Sequence, residues 1–196
     1  MAKKSILIVG DSFCAANDHD NSWHNRLRDH FHVTNFSQCG VGQYKIHKQL
    51  YCSQQSFDIV IYFISSPYRC HTESNPFYDI LHPTHANCDF IYQDVVDKLP
   101  DHKAQNMVWW FENVFDLDQA KYMHNLLVAN DCKAHNIIPI SFFDCTHIDR
   151  SVNIIDFFPI WKNHPGSWNH LNDQGHDQVF QTLVSKISLF FKPELD

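Results

Sequence analysis

Short, nearly continuous apolar runs alternate along this chain with stretches in which apolar residues recur every three to four positions. That alternation predicts a parallel sheet whose strands are buried on both faces beneath covering helices. Five runs read as strands: 5–9, 33–36, 57–64, 107–111 and 137–143. Between them, Trp23, Leu27 and Phe31 fall four apart behind Asn21 or Ser22 as a cap, and Cys88, Ile91, Val95 and Val96 mark a second helical stripe. A third runs from Asp116 through Leu117, Ala120, Met123 and Leu127. The last helix is predicted behind Asn172, with Val179, Leu183, Ile187 and Phe190 on its inner face and an end before Pro193. No repeat or linker interrupts the pattern, so residues 1–196 are expected to form one α/β domain. Residues 65–87, rich in Pro, His, Ser and Tyr, carry no sustained period; loops of this kind collect at the carboxyl ends of parallel strands, and this one is expected to border the site.

Composition narrows the reading. The 196 residues are 44% hydrophobic and 14% aromatic, with five Gly and eight Pro, which excludes disordered, collagen-like and linker-rich chains. A formal net charge of -7, with fifteen scattered Lys and Arg, argues against duplex nucleic acid as a partner. The early apolar run 6–9 is too short for a secretory signal or a membrane span, so a cytoplasmic-type location is expected, and a virion assembled inside a cell would look the same. Seven cysteines without a Cys-x-x-Cys pair predict reduced thiols rather than a disulfide framework or a structural zinc.

Three features carry candidate chemistry. Gly10-Asp11-Ser12-Phe13 puts a serine hydroxyl on the turn at the carboxyl end of the first strand, although a turn-capping serine reads the same way. Gly40 and Gly42 fall in one turn after the second strand; glycine there lets a backbone amide point into a site, or supplies the positive φ of a helix-entry turn. His170, in His170-Leu171-Asn172-Asp173-Gln174-Gly175-His176, precedes the final helix and can reach a serine at the same sheet edge.

Together, Gly-Asp-Ser at the first strand end, Asn35 five residues before Gly40, and His-x-Asn-x-x-Gly-His before the last helix resemble the SGNH hydrolases, the GDSL-like lipase/esterase superfamily. The resemblance spans essentially the whole chain. It implies a three-layer α/β/α sandwich, flavodoxin-like, with a five-stranded parallel sheet. It also implies a serine esterase that needs no cofactor or metal and acts on a small acyl ester, with an O-acetyl group on a carbohydrate as one candidate. Ser12 would be the nucleophile, His170 the general base, and the amides of Ser12 and Gly40 the oxyanion hole, with Asp11 bracing the turn. The chain departs from the family twice. The asparagine of the third block falls on Pro67, leaving Ser65, Ser66 or Arg69 to substitute for a donor whose loss typically costs roughly a hundred- to a thousandfold in rate. The triad acid falls on Ser167, leaving a backbone carbonyl, Asn169 or a distant acid such as Asp144 to support His170, so a Ser-His dyad is the working expectation. Short chains of this type look like those of tailed phages and polysaccharide loci, which points to an acylated glycan as substrate. The alternative is a binding or structural module, of a phage particle for example, that has kept the fold and lost turnover.

Other residues weigh less. The pairs His30/His32, Cys70/His71 and His82/His85 and the trio His164/His170/His176 match no ligand pattern and read as surface or packing residues. Cys14 reads as a packed first-turn residue rather than a nucleophile. Trp109, Trp110, Phe111, Phe142 and Phe143 read as core, whereas Tyr68, Trp161 and Trp168 are the candidates for substrate contact.

Overall fold

The computed structural model describes residues 3–15, 21–53, 55–73, 75, 88–91, 101–167 and 170–191, with the backbone alone for 101–104. Its five strands are β1 (Ser5–Val9), β2 (His32–Asn35), β3 (Ile59–Phe63), β4 (Ile137–Ser141) and β5 (Ile155–Asp156). They form one parallel sheet in the order β2-β1-β3-β4-β5. This is the flavodoxin-like doubly wound order, whose direction of winding switches between β1 and β3. β3 is buried at every position and β1 at all but the first, which is why both read as unbroken apolar runs.

The covering helices are α1 (Trp23–Arg26, continued by a 3-10 turn over Leu27–Asp29), α2 (Gln43–Cys52), α3 (Asp101–Asn113), α4 (Leu117–Asp131), α5 (Phe158–Asn163) and α6 (Asp173–Phe190). α1 and α5 pack against α6, and α2 packs against α4 and β1, so helices lie on both sides of the sheet. The caps follow from side chains: Asp116 accepts from the Gln119 N–H at the start of α4, and Asn172 accepts from the Gly175 N–H at the start of α6. Val179, Leu183 and Ile187 are buried along α6, while Phe190, expected on the same face, is exposed.

Four expectations need correction. The run 107–111 is not a strand but part of α3: Met107, Val108 and Phe111 turn toward Phe90 in a small cluster apart from the main core, and Trp109 is 59% exposed. A five-residue apolar run cannot by itself separate a strand from a helix. The fifth strand is instead β5, two residues long and too short to leave a periodic signal. The stripe placed at Cys88 begins in extended backbone, with Phe90 bridged to Cys70, and its remainder lies outside the described residues. The 3.6-period stripe after Ser22 gives only one helical turn before tightening into the 3-10 turn.

Pro139 sits inside β4 without cost. The carbonyls of Asn136 and Ile140 accept from β3, so alternate residues face that side and Pro139 faces the other. β5 pairs only with Ile140 and Ser141, leaving no ladder partner that would need the missing N–H.

Candidate active site

The carboxyl end of β1 runs into a turn fixed by its own side chains. A Cβ on Gly10 would lie 2.7 Å from Phe63 Cβ and 2.9 Å from Cys14 Sγ, so only glycine lets β1 approach β3 this closely. The Gln49 side chain clamps the same residue, accepting from the Gly10 N–H (2.8 Å) and donating to the Gly10 carbonyl (3.2 Å). Asp11 Oδ1 accepts from the Phe13 N–H at 2.9 Å, and the Asp11 carbonyl accepts from Cys14 and Ala15. Ser12 is thereby left half-buried at the tip of the turn. Asp11 itself has no solvent exposure, and burial pushes its carboxyl up to about 6 against the opposing pull of Arg69 and the Phe13 N–H. Cys14 is buried and its thiol is held well above its ordinary value by burial and by Asp11, which suits packing and not nucleophilic attack.

A second turn packs beside the first. Asn35, at the end of β2, donates from Nδ2 to the Cys14 carbonyl (2.7 Å) and accepts at Oδ1 from the Ser37 N–H (2.9 Å). Gly40 then adopts φ +68°, where a side chain is strained, and a Cβ there would lie 2.6 Å from Cys88 Sγ. Residues 88–90 clasp this turn. The Cys88 thiol donates to the Cys39 carbonyl (3.1 Å), the Asp89 N–H donates to the Gly40 carbonyl (2.9 Å), and Asp89 Oδ2 accepts from the Gly42 N–H (2.6 Å). The buried Asp89 carboxylate also takes the Thr72 N–H (2.9 Å) and pairs with Lys45 at 2.9 Å and His71 at 3.3 Å. Nothing in the sequence marks Cys88 and Asp89 as supports of a turn almost fifty residues earlier.

The segment after β3 closes the third side. Ser65 is buried, with its hydroxyl donating to the Val41 carbonyl (3.2 Å) and its N–H to Gln43 Oε1 (2.9 Å); Ser66 Oγ accepts from the Tyr68 N–H within its own turn. Arg69 reaches inward instead. Its Nη1 donates to the Gly40 carbonyl at 3.3 Å, and its Nη2 stands 4.0 Å from Asp11 Oδ2, an oxygen with no hydrogen-bond partner among the described residues. Tyr68 is 49% exposed at the rim.

His170 is held by a tight loop. Pro165 bridges Leu171, the Gly166 N–H donates to the His170 carbonyl (2.7 Å), and the His170 N–H donates to the Ser167 carbonyl (3.0 Å). A Cβ on Gly166 would collide with the Leu171 carbonyl. The imidazole rests against Phe13, the residue after Ser12, with ring centroids 5.2 Å apart. Phe13 is seated in turn on Phe142 (4.8 Å) and on the edges of Phe143 (5.6 Å) and Trp161 (6.4 Å), so these aromatics fix the ring against which His170 rests. Burial lowers the His170 pKa, and among the described residues no carboxylate contributes to that shift. Asp144, considered above as a distant acid, is exposed and bonded to the Thr146 N–H, with His147 and Lys121 as its charged neighbours. Trp161 is half-buried between Phe13 and Phe158; Trp168 and Asn169 lie outside the described residues, as do His82 and His85.

Behind the site, Gln43 Oε1 also meets His124 Nε2 (3.1 Å), Gln43 Nε2 donates to the Tyr62 hydroxyl (2.7 Å), and that hydroxyl donates to Asp131 (2.6 Å), which His47 also contacts (2.9 Å). Since Gln43 Oε1 is an acceptor, His124 Nε2 carries its proton and Nδ1 accepts from His147 Nε2 at 2.7 Å. Among the described residues no three His, Cys, Asp or Glu side chains gather as a metal site, and no helix is long and apolar enough to cross a membrane.

Three loops thus lie at the carboxyl edge around the β1/β3 switch point: the Ser12 turn, the Gly40 turn with Arg69 across it, and the His170 loop, which reaches the first through Phe13 and not through a hydrogen bond between Ser12 and His170. No family model matches the sequence, and no curated protein matches it. Among solved structures, the chain is similar to a protein from Desulfitobacterium hafniense DCB-2 described as lipolytic and of the G-D-S-L family, at 12% identity and a TM-score of 0.46 over 93% of this chain and 98% of that one. It is also similar to a lipase/acylhydrolase from Enterococcus faecalis, at 13% identity and a TM-score of 0.44 over 98% of this chain and all of that one.

Proposed function

We propose that this chain is a serine esterase acting on a small acyl ester. Ser12 Oγ attacks the ester carbonyl carbon while His170 takes its proton; the C–O bond to the alcohol breaks, His170 returns the proton to the leaving oxygen, and an acyl-enzyme remains on Ser12. Water, deprotonated by His170, then attacks the acyl carbon and releases the acid and free Ser12. The amides of Ser12 and Gly40 receive the oxyanion, with the Arg69 guanidinium in the role left open by Pro67. Arg69 is favoured over Ser66 because it already lies across the Gly40 turn, whereas Ser66 Oγ is engaged with Tyr68.

The observation that carries the reading is the Phe13 contact: the residue following Ser12 seats the imidazole of His170 at the switch point of the sheet. The histidine acts as a dyad partner. Burial favours its neutral form, and among the described residues no carboxylate stands by to stabilise the imidazolium that forms, so turnover is expected to be slower than that of a full triad. The lack of a carboxylate beside His170 among the described residues favours the competing reading, a binding module without turnover. Labelling with a fluorophosphonate separates the two: intact mass should rise by one adduct, mapped to Ser12, and a folded protein that takes no label would refute the esterase reading.

A further inference from the structure

His176 ends the stretch that His170 begins, yet it has no part in the reaction. It is buried on the first turn of α6, beside the start of α1. Its Nδ1 accepts the Trp23 backbone N–H at 3.4 Å. That bond stands in for a cap, because Ser22 gives α1 no side-chain acceptor and the first N–H groups of a helix find none within it. The Trp23 side chain, with no solvent exposure, makes a second bond at its far end: the indole Nε1–H donates to the Phe13 carbonyl at 3.1 Å. Both peptides flanking Phe13 are therefore held. Asp11 Oδ1 takes the Phe13 N–H on one side, and Trp23 takes the Phe13 carbonyl on the other. Together they set where the Phe13 ring points, and with it where the imidazole of His170 rests, 5.2 Å away. The contacts close a circuit, since His170 lies two residues before Asn172, the cap of the helix that carries His176. Arg26, at the end of α1, fastens the same α1–α6 contact through Asp177 (2.8 Å) and the Phe180 ring (4.2 Å).

We propose that Trp23 is a positioning residue for the proton transfer from Ser12 to His170, and that His176 anchors it. Among the described residues no carboxylate orients the His170 ring, and this hydrogen-bonded seat supplies the orientation in its place. The proposal rests on the esterase reading, so its test has one readout in turnover and one that needs none. Trp23→Phe keeps the aromatic bulk and loses the indole N–H. His176→Leu removes the acceptor, and His176→Asn restores one, with Oδ1 near the place of Nδ1. With p-nitrophenyl acetate, kcat should fall about ten- to a hundredfold in Trp23→Phe and His176→Leu, the cost of displacing a reacting group by about 1 Å, while KM changes by less than about twofold. His176→Asn should recover most of the loss, and Tyr122→Ala, on the exposed face of α4, should match the wild type. In the second readout, the imidazole proton resonances of His170, identified by their absence from His170→Ala, are followed by NMR. The Phe13 ring current shifts them, so they should move in Trp23→Phe and His176→Leu and return in His176→Asn. If Trp23→Phe does not fold, the two His176 variants carry both readouts. Unmoved resonances in a folded Trp23→Phe or His176→Leu protein, or a wild-type kcat in either, overturn the proposal. Absence of Ser12-dependent turnover from the wild type is a different result: it overturns the esterase reading before any variant of Trp23 or His176 is compared.

Discussion

A methyl group on Gly40 probes the turn on which the oxyanion amide depends. Two costs are separable in the structure. At φ +68° an alanine occupies the left-handed region, which costs about 1–2 kcal/mol for a residue with a Cβ. The methyl also lands 2.6 Å from Cys88 Sγ and 2.9 Å from Cys88 Cβ, both backed by the clasp that ties Asp89 to Gly40 and Gly42, and overpacking of this kind costs about 1–3 kcal/mol. Gly40→Ala should therefore destabilise the protein by about 2–5 kcal/mol. The partner substitution must be Cys88→Gly, because alanine at 88 would keep the Cβ contact; Cys88 Cα, at 3.8 Å, is in ordinary contact. Measured by urea unfolding, the double variant should be more stable than the sum of the two single losses by about 1–3 kcal/mol, the overpacking share, while the φ cost persists. Strictly additive losses would show that Cys88 does not confine the turn.

Four further outcomes follow, from three buried titratable groups and one cap. Because burial lowers His170, the acid limb of kcat/KM against pH should fall below the ordinary histidine value of 6.5; a limb above it would mean that a carboxylate supports the ring. His124 is held near 3 in the fold against 6.5 when exposed, so the unfolded chain binds the extra proton first; stability present above pH 6.5 should erode toward pH 4 by up to about 1.4 kcal/mol per pH unit, and less steeply in His124→Gln, as read by chemical unfolding. Asp11 has the opposite sign: its folded value near 6 lies above 3.8, so its contribution is lost as pH rises through 6, and Asp11→Asn should gain on the wild type between pH 4 and 7. Asn172→Ala removes the side chain that accepts the Gly175 N–H and should cost about 1 kcal/mol by the same unfolding assay.

What could be read from the sequence was what is local. Burial on both faces of β1 and β3 writes itself as an unbroken apolar run, and Asp116 and Asn172 announce their helices because a cap acts within three residues. The Ser12 turn, Gly40 and His170 were legible for a related reason, since each is a short motif at the end of an element. The run 107–111 reads as a strand because apolar content alone does not distinguish a small helical cluster from one, and β5 leaves no signal because two residues have no period. The supports of the site were silent. Asp89 serves Gly42, Lys45, Thr72 and His71, and Phe13 joins Ser12 to His170, through contacts that exist only after the sheet has assembled.

Hydrolysis of p-nitrophenyl acetate by wild type, Ser12→Ala and His170→Ala, each shown by circular dichroism to be folded, tests the central claim most directly. The esterase account predicts saturable wild-type turnover that falls to background in both variants; wild-type turnover no faster than theirs would contradict it.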